Sequence, residues 1–159
     1  MLTECLDLPE KVYTRRTISL SEEQRLLYED IRTQARATLK GQELTVTNVI
    51  TEILRLHQIT CGYFKSREGE IQNVINKRIE ALLEVCEDTD QKIIIWATYV
   101  HNIQQINREL IKKYGVDSVV TFYGDTSSDK RTEAIERFQN DPKCRFFVGN
   151  PATGGMGIT

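Results

Sequence analysis

The residues best suited to chemistry crowd the end of this sequence. Thr153-Gly154-Gly155-Met156-Gly157 follows an apolar run from Cys144 to Val148. Glycines let a backbone adopt positive φ and approach a bulky partner closely. After a buried strand, such a turn can aim N–H groups at an anion such as phosphate. The same glycines also suit a tight strand-to-helix turn with no ligand, and the residues alone leave both readings open. The stretch is not a Walker A loop, because no Gly-Lys-Ser/Thr follows, and it lacks G-x-G-x-x-G spacing.

Other candidates are weaker. Asp125 and Asp129 could serve a metal or act as a base. Asp129, however, falls at a helix start, where acids are favoured, and Asp125 falls in a turn, where Asp is common. His57 and His101 stand singly, without a Ser, Cys or metal-ligand partner nearby in sequence. His57 reads as a helix-face residue and His101 as a helix N-terminal one. Trp96 closes an apolar run and reads as core packing. Cys5, Cys61, Cys86 and Cys144 are widely spaced, with no C-x-x-C pair, so buried reduced thiols fit better than zinc or disulfides. No Ser-His-Asp or Cys-His nucleophile set emerges.

Composition sets the class. The chain has 159 residues, enough for one domain with a real core. It is 40% apolar and 28% charged, as in ordinary soluble domains. A net charge of −2 argues against a free-standing electrostatic nucleic-acid binder, but not against a few backbone contacts to phosphate. No signal peptide is visible and no apolar run approaches membrane-spanning length, so a cytoplasmic protein is expected.

The candidate residues need elements to hold them. Val12 to Ser19 reads as a strand or an extended lead-in. Ser21-Glu22-Glu23-Gln24 is a capping box, with a hydroxyl at the cap and Gln three residues on. The helix it opens carries Leu27, Ile31, Ala35 and Leu39 on one stripe and ends at Gly41. A second helix is predicted from Thr47 to Thr60, with Val49, Ile50, Ile53, Leu54, Leu56 and His57 on a broad apolar face. Gly62 to Glu70 reads as a loop. Ile71, Val74, Ile75, Ile79, Leu82, Leu83 and Cys86 then fall at the spacing of a third helix.

From residue 91 the pattern becomes strand–helix–strand–helix–strand. The strands are Lys92 to Trp96, Ser118 to Phe122 and Cys144 to Val148. The first reads as covered on both faces. This is an α/β fold with a parallel sheet and flanking helices, preceded by a mostly helical N-terminal segment. Such sheets bind ligands at the carboxyl ends of their strands, so the loops 97–101, 123–128 and 149–159 should line one edge. The expected organisation is a lead-in at 1–20, a helical segment at 21–90 and an incomplete RecA-like lobe at 91–159.

Several stretches together resemble the second motor lobe of SWI/SNF-type superfamily-two helicases. Arg16 to Gln24 with Leu27-Tyr28 is similar to that family's approach to lobe two. Ile53 to Thr60 resembles its "L-R-x-x-x" helix, and Asn76-Lys77 with Ile79 and Leu82 its "S-K-x-x-x-L" helix. Lys92 to Tyr99 resembles motif IV. Tyr123-Gly124-Asp125-Thr126 with Arg131, Ile135 and Phe138 resembles "x-x-G-x-T…R…I-x-x-F", and Phe147 to Thr159 resembles motif V. The sequence departs from the pattern at Asn150, where Ser is usual, at Thr153 and Thr159, and at Trp96 in motif IV. These departures point to a compact bacterial or phage-like branch rather than a chromatin remodeller.

The resemblance implies part of an ATP-dependent translocase or helicase acting on nucleic acid, with double-stranded DNA placed ahead of RNA. ATP and Mg would be held mainly by a missing N-terminal motor lobe, whose Walker segments would precede Met1. Motif VI would follow Thr159, so the chain looks truncated after motif V and is expected to be inactive alone. Gly124, Asp125, Thr126, Thr153, Gly154 and Gly155 would meet nucleic acid. Gly157, Thr159 and Arg131 would lie toward ATP, though a structural salt bridge suits Arg131 as well. The alternative is a stand-alone, non-catalytic RecA-like module that binds nucleic acid or protein.

Overall fold

The computed structural model describes residues 10–41, 46–66, 69–124 and 127–154. Cys5, Asp125, Thr126, Gly155, Gly157 and Thr159 lie outside the described residues.

Residues 10–21 form neither helix nor strand, so the lead-in is irregular. Side chains hold it in place of a ladder: Arg16 pairs with Glu84 at 2.8 Å and donates to the Ala81 carbonyl. Helix α1 runs Glu22–Gly41 and α2 runs Val46–Thr60. The capping box forms in both directions. Gln24 N donates to Ser21 Oγ at 3.1 Å, and Ser21 N donates to Gln24 Oε1 at 3.0 Å. Gln24 is buried, and its Nε2 donates to the Ile59 carbonyl at 2.7 Å. One side chain therefore caps α1 and satisfies a carbonyl near the end of α2.

Two predicted features change here. The broad face of α2 divides. Val49, Leu56 and Ile59 turn inward, while Ile50, Ile53, Leu54 and His57 are exposed. The third helix is shorter than its apolar spacing suggests. Strand β1, Tyr63–Lys65, pairs antiparallel with β2, Ile71–Asn73, where loop and helix were predicted. Short apolar runs do not separate strand from helix by period alone. Two glycine turns decide it. Gly62 and Gly69 both take positive φ, and Val74 N donates to the Gly62 carbonyl at 3.0 Å. Helix α3 begins only at Arg78 and ends at Glu87, and Asn76 Oδ1 accepts from Arg78 N at 3.1 Å. Ile79, Leu82, Leu83 and Cys86 form its inner face, as expected.

The α/β part matches the predicted order. Strand β3 is Ile93–Trp96, helix α4 Val100–Tyr114, strand β4 Val119–Phe122, helix α5 Ser128–Asn140, strand β5 Phe146–Gly149 and the short helix α6 Pro151–Gly154. The sheet is parallel in the order β3-β5-β4. Central β5 is covered on both faces, and Phe146, Phe147 and Val148 have no exposed surface. One face carries Ile95, Val119, Phe146 and Val148, against Cys86 of α3 and Ile103, Ile106 and Leu110 of α4. The other carries Val120, Phe122 and Phe147, against Ala134 and Phe138 of α5.

Strand β3 departs from its prediction. Ile93 and Ile95 pack inward, but Ile94 is 46% and Trp96 43% exposed. The strand is an edge, and α5 lies over β4 and β5, so the second face of β3 stays open. Core packing thus describes only half of Trp96, whose ring meets Phe147 edge-on at 6.1 Å.

Two cations fasten the sheet to its helices. Lys92 Nζ donates to the carbonyls of Phe138 and Asp141 at the C-terminal end of α5. Arg145 stacks on Phe146 and Tyr114 and donates to the carbonyls of Cys86 and Thr89 at the end of α3. Positive groups are favoured at helix C-termini, where carbonyls lack intrahelical partners. Cys61, Cys86 and Cys144 are buried free thiols, and burial pushes the latter two up from the ordinary thiol range. Among the described residues, no helix is long and apolar enough to cross a membrane.

Candidate functional site

Strand register builds the site. Trp96 lies level with Gly149, and Gly149 with Phe122, so the three parallel strands end together. Among the described residues, the chain after each strand starts along one edge, as the alternation of strands and helices predicted. Backbone bonds extend the ladder past the strands. Ala97 N donates to the Gly149 carbonyl at 2.9 Å and Asn150 N to the Phe122 carbonyl at 3.0 Å.

Gly149 is at the centre of this edge. A Cβ there would come within 2.9 Å of both the Phe122 carbonyl oxygen and the Trp96 ring. Only a residue without a side chain lets β5 pass so close to both neighbours.

Asn150 is the next residue. Its Oδ1 accepts from Ala152 N at 2.8 Å, and its Nδ2 donates to the Thr98 carbonyl at 2.6 Å. Asn at the cap with Pro151 at the first helical position is a recognised helix start. The Asn-Pro pair is therefore legible in sequence as a cap, although only its departure from motif V stands out there. The bond to Thr98, from the β3–α4 turn, has no sequence signal.

Of the candidate nucleic-acid residues, Gly124, Thr153 and Gly154 fall on this edge among the described residues. Gly124 lies after β4, Thr153 is half-buried in α6, and Gly154 closes that helix. Arg131, expected toward ATP or in a salt bridge, bonds the loop before its helix. Its guanidinium donates to the Gly124 carbonyl at 2.9 Å and lies over the Phe122 ring at 5.6 Å. It holds the β4–α5 loop by its backbone. Asp129 lies in the first turn of α5, as expected of an acid at a helix start.

The histidines have partners that spacing did not reveal. His57 Nδ1 lies 2.9 Å from the Tyr99 hydroxyl, and His101 Nε2 lies 2.8 Å from Asn73 Oδ1. Tyr63 stands between them, with its ring 5.5 Å from Tyr99 and 4.7 Å from His101. Buried Asn102 donates to the Cys61 carbonyl at 2.8 Å. This cluster joins α2 and the β1–β2 hairpin to the start of α4. Burial first, and then the neighbouring Tyr99 phenol and Cys61 thiol, push the Tyr63 phenol up to about 12. Burial and then Arg108 push His101 below the usual histidine range. Both groups are held neutral. They offer packing and hydrogen bonds, and no acid or base poised near neutrality.

The family model of the helicase conserved C-terminal domain matches residues 76–159. An "Uncharacterized ATP-dependent helicase" of Mycoplasma pneumoniae is 28% identical over 156 residues, covering 96% of this chain and 15% of that protein. YwqA of Bacillus subtilis, which carries a provisional ATP-dependent helicase/translocase name, is 28% identical over 163 residues, covering 96% and 17%. The chain thus spans less than a fifth of these relatives. Among solved structures, the C-terminal domain of the Sulfolobus solfataricus SWI2/SNF2 ATPase superposes with a TM-score of 0.70 at 25% identity, covering 89% of this chain and 64% of that domain. The core of that ATPase in complex with dsDNA gives 0.62 at 23% identity, covering 84% and 29%, and shows a shared fold.

Proposed function

Because the chain belongs to the helicase conserved C-terminal domain family, we propose that it works as the second RecA-like lobe of an ATP-dependent DNA translocase. The observation that carries this reading is the level ending of three parallel strands, with their loops bonded into one edge. The dsDNA complex of a protein of the same fold supports duplex DNA as the substrate.

The residues do limited, definable work. Backbone N–H groups and short hydroxyls at Gly124, Asp125, Thr126, Thr153, Gly154 and Gly155 grip phosphates without reading bases. Gly157 and Thr159 lie toward the partner lobe. Arg131 is a holder of the Gly124 loop, engaged through the carbonyl there. ATP hydrolysis, when nucleotide is bound between two lobes, supplies the energy for closing and reopening. This sequence has no Gly-Lys-Ser/Thr loop to cradle nucleotide phosphates. Among the described residues no group of three His, Cys, Asp or Glu side chains could hold a metal ion, and ATP with Mg would sit mainly on the partner lobe. In this reading residues 1–20 lead in, 21–90 brace the lobe and 91–159 form it, and the protein works in the cytoplasm.

The test compares ATP turnover by the 159-residue chain with turnover by the polypeptide its gene encodes, with and without duplex DNA. The expected result is no turnover by the chain and DNA-stimulated turnover by a polypeptide carrying an upstream Walker loop. Turnover by the chain above a Gly155-substituted control would sink the motor-lobe reading. A gene with no Walker loop upstream would hand the protein to the binding-module reading.

A further inference from the structure

We infer that Asn150 is a positioning residue that fastens the β3–α4 turn to the β5–α6 turn, so that both present themselves to a phosphate backbone in one register. This rests on the reading that the edge faces nucleic acid.

Four hydrogen bonds converge on this one residue. Its backbone N donates to the Phe122 carbonyl at the end of β4, and its own carbonyl accepts from Thr153 N at 3.1 Å. Its side chain caps Ala152 with the oxygen and reaches the Thr98 carbonyl with the nitrogen. It therefore touches the turn after β3, the end of β4 and the turn after β5. The Thr98–Tyr99 turn is held from its other side by the Tyr99 hydroxyl and His57.

Only an amide can do both side-chain tasks. Asn carries a donor and an acceptor on one short planar head. Ser can cap Ala152, but its single oxygen is too short to reach Thr98 as well. Asp can cap, but it has no N–H for the Thr98 carbonyl. In motif V of the family this sequence resembles, Ser is usual at this position. The tether therefore depends on the amide of Asn150, which combines the two jobs in this chain. A grip made of backbone groups depends on their spacing, because phosphates sit at fixed intervals. Locking two loops together sets that spacing before the ligand arrives.

The test uses the 159-residue chain, with Asn150→Ser as the main variant and Asn150→Ala as its control. Amide hydrogen exchange reads the tether, and shifts of backbone amide resonances on titration with a short DNA duplex read the grip. Asn150→Ser should leave the Ala152 amide protected and speed exchange at Ala97, the last rung between β3 and β5, by about fivefold. It should weaken duplex binding by about fivefold while thermal stability stays close to the wild type. Asn150→Ala should expose both amides. Unchanged exchange at Ala97 in Asn150→Ser would overturn the tether. Faster exchange with unchanged duplex affinity would overturn its role in the grip. A wild-type chain whose resonances ignore the duplex would instead remove the nucleic-acid reading itself, leaving the exchange data to decide the tether alone.

Discussion

His101 shows how a residue can be chemically ordinary in sequence and constrained in the fold. Its ring packs on Tyr63 and meets Asn73, and burial and Arg108 hold its folded pKa below the free value. In the window between the two values the unfolded chain binds more protons, so stability rises with pH there. The His101 contribution is complete above the unfolded value of about 6.5 and is lost as pH falls through the folded value. The melting temperature should therefore drop on acidification below that point, and His101→Asn should flatten the drop. An identical pH profile in both proteins would show that His101 does not set it. Tyr63 runs the other way. With a phenol near 12, it should be the last tyrosine to ionise in an ultraviolet titration.

Gln24 carries the second residue-scale prediction. It accepts from Ser21 N and donates to the Ile59 carbonyl while almost wholly buried. Removing it takes the cap and a buried bond to the Ile59 carbonyl, which keeps the Gly62 N–H at 2.9 Å, and hydrogen-bond losses of this kind cost about 1 kcal/mol each. Gln24→Ala should lower the denaturant midpoint more than Ser21→Ala, which loses the cap at about 1 kcal/mol and an exposed bond from Ser21 Oγ to the Ile75 carbonyl at 2.6 Å. Equal effects would mean the buried bond to α2 adds no more than the exposed bond from Ser21 to Ile75.

At the scale of elements, edges and crossings decide what packs. Strand β5 sits between two neighbours and is covered on both faces, whereas β3 is an edge with one face open. Close approach at the end of β5 depends on Gly149. Gly149→Ala would push a methyl group into the Phe122 carbonyl and the Trp96 ring, both 2.9 Å away. Overpacking of this kind costs about 1–3 kcal/mol, and it should appear in chemical denaturation as an earlier midpoint with an unchanged slope. Helix α4 ends where expected because Gly115, at φ 93°, turns the chain and donates its N–H to the Ile111 carbonyl at 2.8 Å.

Across the whole molecule, protection should follow burial. Phe147 and Val148 lie at the centre of the parallel sheet with no exposed surface. The outer face of α2 leaves Ile50, Ile53 and Leu54 about half exposed. Native-state exchange should thus be slowest in β5 and faster in α1 and α2, which open without unfolding the sheet. Uniform rates across both parts would indicate a single cooperative unit joined through the Tyr63, Tyr99 and His101 cluster.

Local patterns determined much of this by themselves. Ser21 and Gln24 specify a cap because both partners lie within one turn. Gly115 ends a helix because its own backbone can turn left-handed. The alternation of strands and helices after residue 91 implies a parallel sheet because connections of that length cross over one face. The order of motifs around Gly124 and Gly154 carries the family resemblance because each motif is a local run of residues. Tertiary structure alone decided the rest. The period of Ile71, Val74 and Ile75 is helical, yet antiparallel pairing with Tyr63–Lys65 makes Ile71 to Asn73 a strand, because ladder bonds come from a distant segment. Trp96 is apolar, yet half open, because sheet order places β3 at an edge. Arg131 is a cation that stabilises a loop carbonyl, and Asn150 joins two turns 52 residues apart. Sequence records which groups each residue can offer. Only the fold brings their partners within hydrogen-bonding distance.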